Sequence, residues 1–247
     1  MMDMNPSSAI DVRAPKPDAE LLQQAPIFRD LEAPVLDQLA EIGELVSVPD
    51  GTMLCRQGEL ADRLHVLLSG QIALSNTAPN GISAVVEVVR PGGHFVLATV
   101  LARLPYLLNA QAVASSRMIV FPAEALHVLV QSTPALAAAL MRAEAQVFRA
   151  LVRQVCDLKL RTTAQRLGCY LLSLSQEQAN NTVSLRLPFD KRLLAARLGC
   201  RQENLSRAFA ALRSFGVETH GARVVLHDIA RLRDYAEPDD FGDAEFA

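Results

Sequence analysis

Residues 187–217, LPFDKRLLAARLGCRQENLSRAFAALRSFGV, constrain the fold more than any other stretch of the chain. They read as two short helices joined by a tight turn at Gly199. Leu193, Leu194, Ala196 and Leu198 give the first helix an apolar face. On the second, Leu205, Ala208, Phe209 and Leu212 recur at helical spacing. The other face of that helix carries Arg201, Gln202, Glu203, Asn204, Ser206 and Arg207. Such side chains hydrogen-bond base edges and phosphates in a DNA major groove. The pattern predicts a helix-turn-helix with residues 201–215 as its recognition helix. An ordinary helix pair with a solvated charged face would share it, so the flanking sequence has to decide.

Gly216 stands where a helix C-terminal glycine belongs. Beyond it, Val217-Glu218-Thr219 and Arg223-Val224-Val225-Leu226 flank His220-Gly221-Ala222, which predicts a β-hairpin. A helix-turn-helix followed by a hairpin is a winged helix. Residues 183–235 hold ten Lys/Arg against five Asp/Glu, whereas the whole chain has a net charge of -3. A basic C-terminal region on an acidic remainder points to a polyanionic partner for that region alone.

The 247 residues suffice for two domains with separate cores. No apolar run reaches the roughly 18 residues of a membrane span, so no membrane association is expected. Residues 1–20 lack a basic head followed by an apolar core, and read as a loose arm rather than a secretory signal. Residues 237–247 form an acidic tail. The expected compartment is the cytoplasm. Cys55, Cys156, Cys169 and Cys200 are scattered singly, which argues against a metal site, a disulfide framework or an iron–sulfur cluster.

Residues 19–43 are helical in pattern, with Pro26 and Pro34 cutting them into pieces. From 45 to 121, short β-prone runs alternate with turns such as Pro49-Asp50-Gly51, Ser69-Gly70 and Asn80-Gly81, which predicts a β-barrel or sandwich. Residues 134–161 read as one long helix. On it, Phe148, Leu151, Val155 and Leu158 follow an a-and-d spacing that suits a dimer interface; packing of this stripe on its own β-domain is the alternative. A further helix over 162–175 opens the C-terminal domain, which runs to residue 236. The fold class is α+β: an N-terminal β-barrel over 21–133, a dimerisation helix, and a winged helix-turn-helix over 162–236. No nucleophile elbow, Walker loop or dinucleotide fingerprint is present, so enzyme activity is not expected.

This order of elements, with Gly58, Gly70 and Pro91-Gly92-Gly93-His94-Phe95 in the barrel and Glu203-Asn204-Leu205-Ser206-Arg207 in the second helix, resembles the CRP/FNR family of bacterial transcription regulators. The resemblance covers residues 25–236. It implies a double-stranded β-helix of the cyclic-nucleotide-binding type, a homodimer, double-stranded DNA as ligand and RNA polymerase as protein partner. E-x-x-S-R is the FNR form of the recognition motif; in CRP itself a glycine replaces the serine and an arginine precedes the glutamate. The resemblance thus implies TTGAT-type half-sites, with Arg207 donating to a guanine, Glu203 accepting from a cytosine amino group and Ser206 on a thymine or phosphate. Arg–guanine and Glu–cytosine pairing are also chemically sound in themselves.

The sensory end departs from the family's nucleotide binders. Those carry a Gly-Glu pair for the ribose and an Arg-Ser or Arg-Thr pair for the cyclic phosphate. Here Val96-Leu97-Ala98 and Leu107-Leu108-Asn109 occupy those places. A buried phosphate without a cation is costly, which argues against cyclic AMP. His94, Val96, Leu97, Leu108 and Asn109, with Val100, Leu101 and Leu107, form the expected effector pocket, apolar in character. In texture the chain resembles the DNR/NnrR branch, which implies haem as a candidate cofactor for sensing nitric oxide, with His94 preferred as its ligand over His65. Another small-molecule effector, a cyclic nucleotide included, or a barrel serving a protein partner, are the alternatives.

Overall fold

The computed structural model describes residues 15–78, 83–175, 182–187 and 191–238. The Asn80-Gly81 turn and most of the N-terminal arm and acidic tail lie outside them. Two compact units result: Met1–Ser83 with Val88–Gln146, and Ala84–Glu87 with Val147–Ala247.

In the first unit the two prolines do punctuate the helical region. Helix α1 (Ala19–Gln24) is capped by Asp18, whose carboxylate accepts from Leu21 N at 2.8 Å. A 3-10 turn, Pro26–Phe28, starts at one proline, and α2 (Ala33–Ile42) has the other in its first turn, where a missing N–H costs nothing. Eight strands follow. These are β1 (Glu44–Val48), β2 (Met53–Cys55), β3 (Arg63–Ser69), β4 (Ile72–Thr77), β5 (Ser83–Val89), β6 (His94–Phe95), β7 (Asn109–Ala112) and β8 (Ser116–Pro122). They form two four-stranded sheets in the orders β1-β8-β3-β6 and β2-β7-β4-β5.

Strands β3 and β8 do not alternate. Leu64 to Leu67 and Met118 to Phe121 are buried throughout, so both faces of their sheet are covered. One face is covered by the N-terminal helices, since Phe121 meets Phe28 edge-on at 5.5 Å. Helices α3 (Leu97–Ala102), α4 (Ala123–Ser132) and α5 (Pro134–Leu160) complete the segment, and α5 runs on into the second unit.

The second unit holds α6 (Thr163–Ser173), β9 (Val183–Arg186), α7 (Lys191–Arg197), α8 (Gln202–Leu212), β10 (Val217–His220), β11 (Arg223–Leu226) and α9 (Ile229–Ala236). A capping box formed by Thr162 and Gln165 starts α6. The expected hairpin is present, and β9 joins it to make a three-stranded antiparallel sheet in the order β10-β11-β9. The predicted recognition helix is shorter than 201–215: Arg201 is its N-cap and residues 213–215 tighten into a 3-10 turn.

Candidate nucleic-acid interface and sensory pocket

The turn between α7 and α8 is built by a Schellman motif. Gly199 N donates to Ala196 O at 3.0 Å and Cys200 N to Ala195 O at 2.9 Å. Gly199 adopts φ +62°, and a Cβ there would stand 2.5 Å from Leu158 Cδ2. Both the backbone and the packing therefore demand glycine. Lys191 of α7 lies over the Phe209 ring at 5.7 Å, which ties the two helices together.

Helix α8 buries Leu205, Ala208, Phe209 and Leu212. At 3.6 residues per turn, Glu203, Arg207 and Ala210 fall along the line opposite that stripe. Ser206 lies beside this line, Gln202 and Asn204 on its flanks, and Arg201 at the cap; all are exposed. Glu203 and Arg207 have i, i+4 spacing, yet no ion pair joins them among the described residues. Both remain free to meet a ligand. Ala210, one turn on from Arg207, is small enough to let the helix backbone approach a groove.

The wing adds what the sequence did not disclose. Registers place His220 opposite Arg223 and Arg223 opposite Arg186. A row of basic side chains, the Arg186 and Arg223 guanidinium cations with the His220 imidazole beside them, thus crosses all three strands on the exposed face, with Val217, Val224 and Leu185 buried on the other. Like charges directly opposite each other destabilise a sheet. Arg223 is oriented by donating from Nε to Ser184 Oγ at 2.7 Å. On the same face Glu218 lies 3.0 Å from both His220 Nε2 and His227 Nε2, and these contacts hold its carboxyl below the usual range.

In the first unit the two candidate histidines, His65 and His94, separate. Alternation along β3, paired with β6 and β8, puts His65 and Phe95 on one sheet face and Val66 and His94 on the other, the face of Phe121. His65 stacks on Phe95 at 4.7 Å. Burial holds both imidazoles at a pKa of about 4, and His65 Nδ1 and His94 Nε2 have no hydrogen-bond partner among the described residues. His94, the preferred candidate haem ligand, thus lies on the sheet face that also carries Phe121, away from Phe95. Leu107 is 72% exposed.

Leu97 is buried, and Val96, Leu108 and Asn109 are half-buried. Asn109 is committed to the fold: its Oδ1 accepts from Gln57 N at 3.0 Å and its Nδ2 reaches Thr77 Oγ1 at 3.4 Å. Val96, at the start of α3, has φ +63°, a costly conformation for a β-branched residue. Glu144 of α5 accepts the Ala98 N–H, and burial raises its carboxyl pKa against that hydrogen bond. His127 contacts Val100 O through Nε2 at 2.9 Å, fixing α4 to α3.

Two family sequence models match the chain: a cyclic nucleotide-binding domain over residues 45–133 and a Crp-like helix-turn-helix domain over 165–235. A CRP-like cAMP-activated global transcriptional regulator of Mycobacterium tuberculosis is 24% identical over 217 residues, 86% of this chain and 97% of that protein. A Ruegeria pomeroyi protein of the cyclic nucleotide binding class is 32% identical with a TM-score of 0.61, over 90% of this chain and 98% of that one. The fold is also that of FixK2 from Bradyrhizobium japonicum, at 19% identity and a TM-score of 0.68, over 78% of this chain and 96% of that one. Among the described residues no helix is long and apolar enough to cross a membrane. With a cyclic-nucleotide-binding-type β-domain, a long helix and a Crp-like winged helix-turn-helix in this order, the chain belongs to the CRP/FNR family of DNA-binding transcription regulators.

Proposed function

We propose that the protein is a homodimeric regulator, active in the cytoplasm beside RNA polymerase, that reads a TTGAT-type palindrome through α8. The observation that carries this reading is the placement of Glu203 and Arg207, unpaired among the described residues, at the centre of the exposed face of α8. Arg207 would donate twice to guanine O6 and N7, and Glu203 would accept from a cytosine N4 amino group. Ser206 stands beside them for a thymine or phosphate. The basic wing row supplies contacts that do not depend on sequence. Arg207→Ala should weaken binding to the palindrome by about 1–3 kcal/mol per half-site and relax selection at the guanine. Equal losses on palindromic and random DNA would show Arg207 to be a phosphate contact and remove the base-reading role.

The barrel is read as a sensor for an uncharged effector. Leu108 and Asn109 stand where the family's phosphate-binding pair would be, Asn109 is already hydrogen-bonded, and the Glu144 carboxyl faces the start of α3. Neither Leu108 nor Asn109 offers a cation to an anionic phosphate. The second reading, a cyclic-nucleotide sensor, draws on the matched cyclic nucleotide-binding domain and the cAMP-activated relative. Thermal melting separates them. A ligand binding only the folded state stabilises it by about 2.7 kcal/mol at 100 times its Kd. Unchanged melting with cyclic AMP supports the first reading, and a clear rise supports the second.

A further inference from the structure

An open, shallow depression of about 350 Å³ of mixed polar and apolar lining lies at one end of the β1-β8-β3 sheet, bounded by Ser47, Val48, Pro49, Ser69, Ser115, Ser116 and Arg117. Its centre is fixed by register. Arg117 on β8 is directly opposite Ser47 on β1 and Ser69 on β3, so one guanidinium stands between two hydroxyls on a common face. Its floor is rigid. Ser116 Oγ donates to Ala114 O at 2.8 Å and accepts from Gln71 N at 3.2 Å. Gly70, at φ +91°, packs so closely on this strand that a Cβ would stand 2.6 Å from Ser115 O.

The remaining donors are uncommitted. Elsewhere in the unit Arg63 pairs with Asp62 and Arg103 with Glu124. Arg117 has no carboxylate partner among the described residues, and no acidic side chain lines the depression. The hydroxyls of Ser47, Ser69 and Ser115 make no hydrogen bond among the described residues. Three O–H donors around a two-pronged guanidinium exceed what the two oxygens of a carboxylate can accept. They match the three terminal oxygens of a phosphoryl group. The volume lies at the lower end of the range for small-molecule sites, roughly 300–1,000 Å³, and leaves room for an organic substituent.

We propose that this depression binds a small phosphate monoester, with Arg117 as the charged anchor and Ser47, Ser69 and Ser115 as donors. The test is calorimetric titration of the full chain with glycerol 3-phosphate and, separately, with inorganic phosphate. Saturable binding of the monoester is expected, tighter than that of inorganic phosphate. Arg117→Gln should weaken it by about tenfold or more, the loss expected for a charge-assisted hydrogen bond. Ser69→Ala should give a smaller loss, and both variants should melt like the parent because these side chains are exposed. Absence of saturable binding to the parent, or equal affinity in Arg117→Gln, would overturn the site. Equal affinity for inorganic phosphate would overturn the monoester assignment.

Discussion

Leu151→Glu tests how the two recognition helices of a palindrome reader are held about one helical turn apart, roughly 34 Å. On α5 the proposed seam is unsatisfied within the chain: Phe148 is 67%, Leu151 43%, Val155 50% and Leu158 44% exposed. Met141, 69% exposed, extends it by one heptad, since residues 141, 148 and 155 share one heptad position and residues 151 and 158 another. Leu158 is partly occupied already by its contact with Gly199, so Leu151 is the cleaner site. Burying a leucine fully is worth about 1.5–3 kcal/mol, so covering its exposed 43% contributes roughly 1 kcal/mol per chain. A glutamate at the same place forfeits that and takes a carboxylate out of water opposite its own copy, at several kcal/mol per ion. For a symmetric pair the sum is about 5 kcal/mol or more, which raises the dimer Kd by roughly three to four orders of magnitude. Sedimentation velocity on the variant should show a monomer at micromolar concentration, with circular dichroism unchanged because the side chain faces solvent in the single chain. Operator binding should fall, while half-site binding persists. A variant that sediments as a dimer at those concentrations refutes the seam and leaves the stripe as a surface of another kind.

The basic row on the wing predicts that Arg223→Ala weakens palindromic and random DNA alike and lowers the slope of log K against log salt by about one; a loss confined to the palindrome would contradict a phosphate contact. His65 and His94, with pKa values of about 4 in the folded chain, stay neutral where an unfolded histidine near 6.5 takes a proton. Folding stability should therefore fall from about pH 6.5 downward and level off below pH 4, with each histidine costing about 2 kcal/mol by pH 5. Urea titration of His65→Leu should show a shallower fall, and an unchanged pH profile would mean that His65 protonates in place. Gly199→Ala places a side chain at φ +62° against Leu158, and should cost about 2 kcal/mol or more in urea unfolding; wild-type stability in that variant would void the argument that this turn requires glycine.

The parts of this molecule visible in the sequence are those whose cause is local. The helix-turn-helix shows because a helical repeat, a glycine and a polar stripe lie within one short stretch, and the structure returns the same stripe as the exposed face of α8. The long helix shows because residues 134–160 hold no internal breaker, and Pro134–Leu160 is what forms. By contrast, α3 is six residues, five of them apolar, between two left-handed ones, Val96 and Arg103; a run that short carries no period to read. Strands β6 and β7, HF and NAQA, lack β-branched residues and are held by their neighbours in the sheets. The largest surprises lie where function depends on register. Arg186 and Arg223 become neighbours only when β9 pairs with β11, and Ser47, Arg117 and Ser69 only when β8 enters between β1 and β3. His94 shows the same rule from the other side. It is adjacent to Phe95 in sequence, yet the two-residue period of a strand sends the two rings to opposite faces. A pocket built on β-strands is legible from sequence only once the register is known, and register is set by pairings between distant residues.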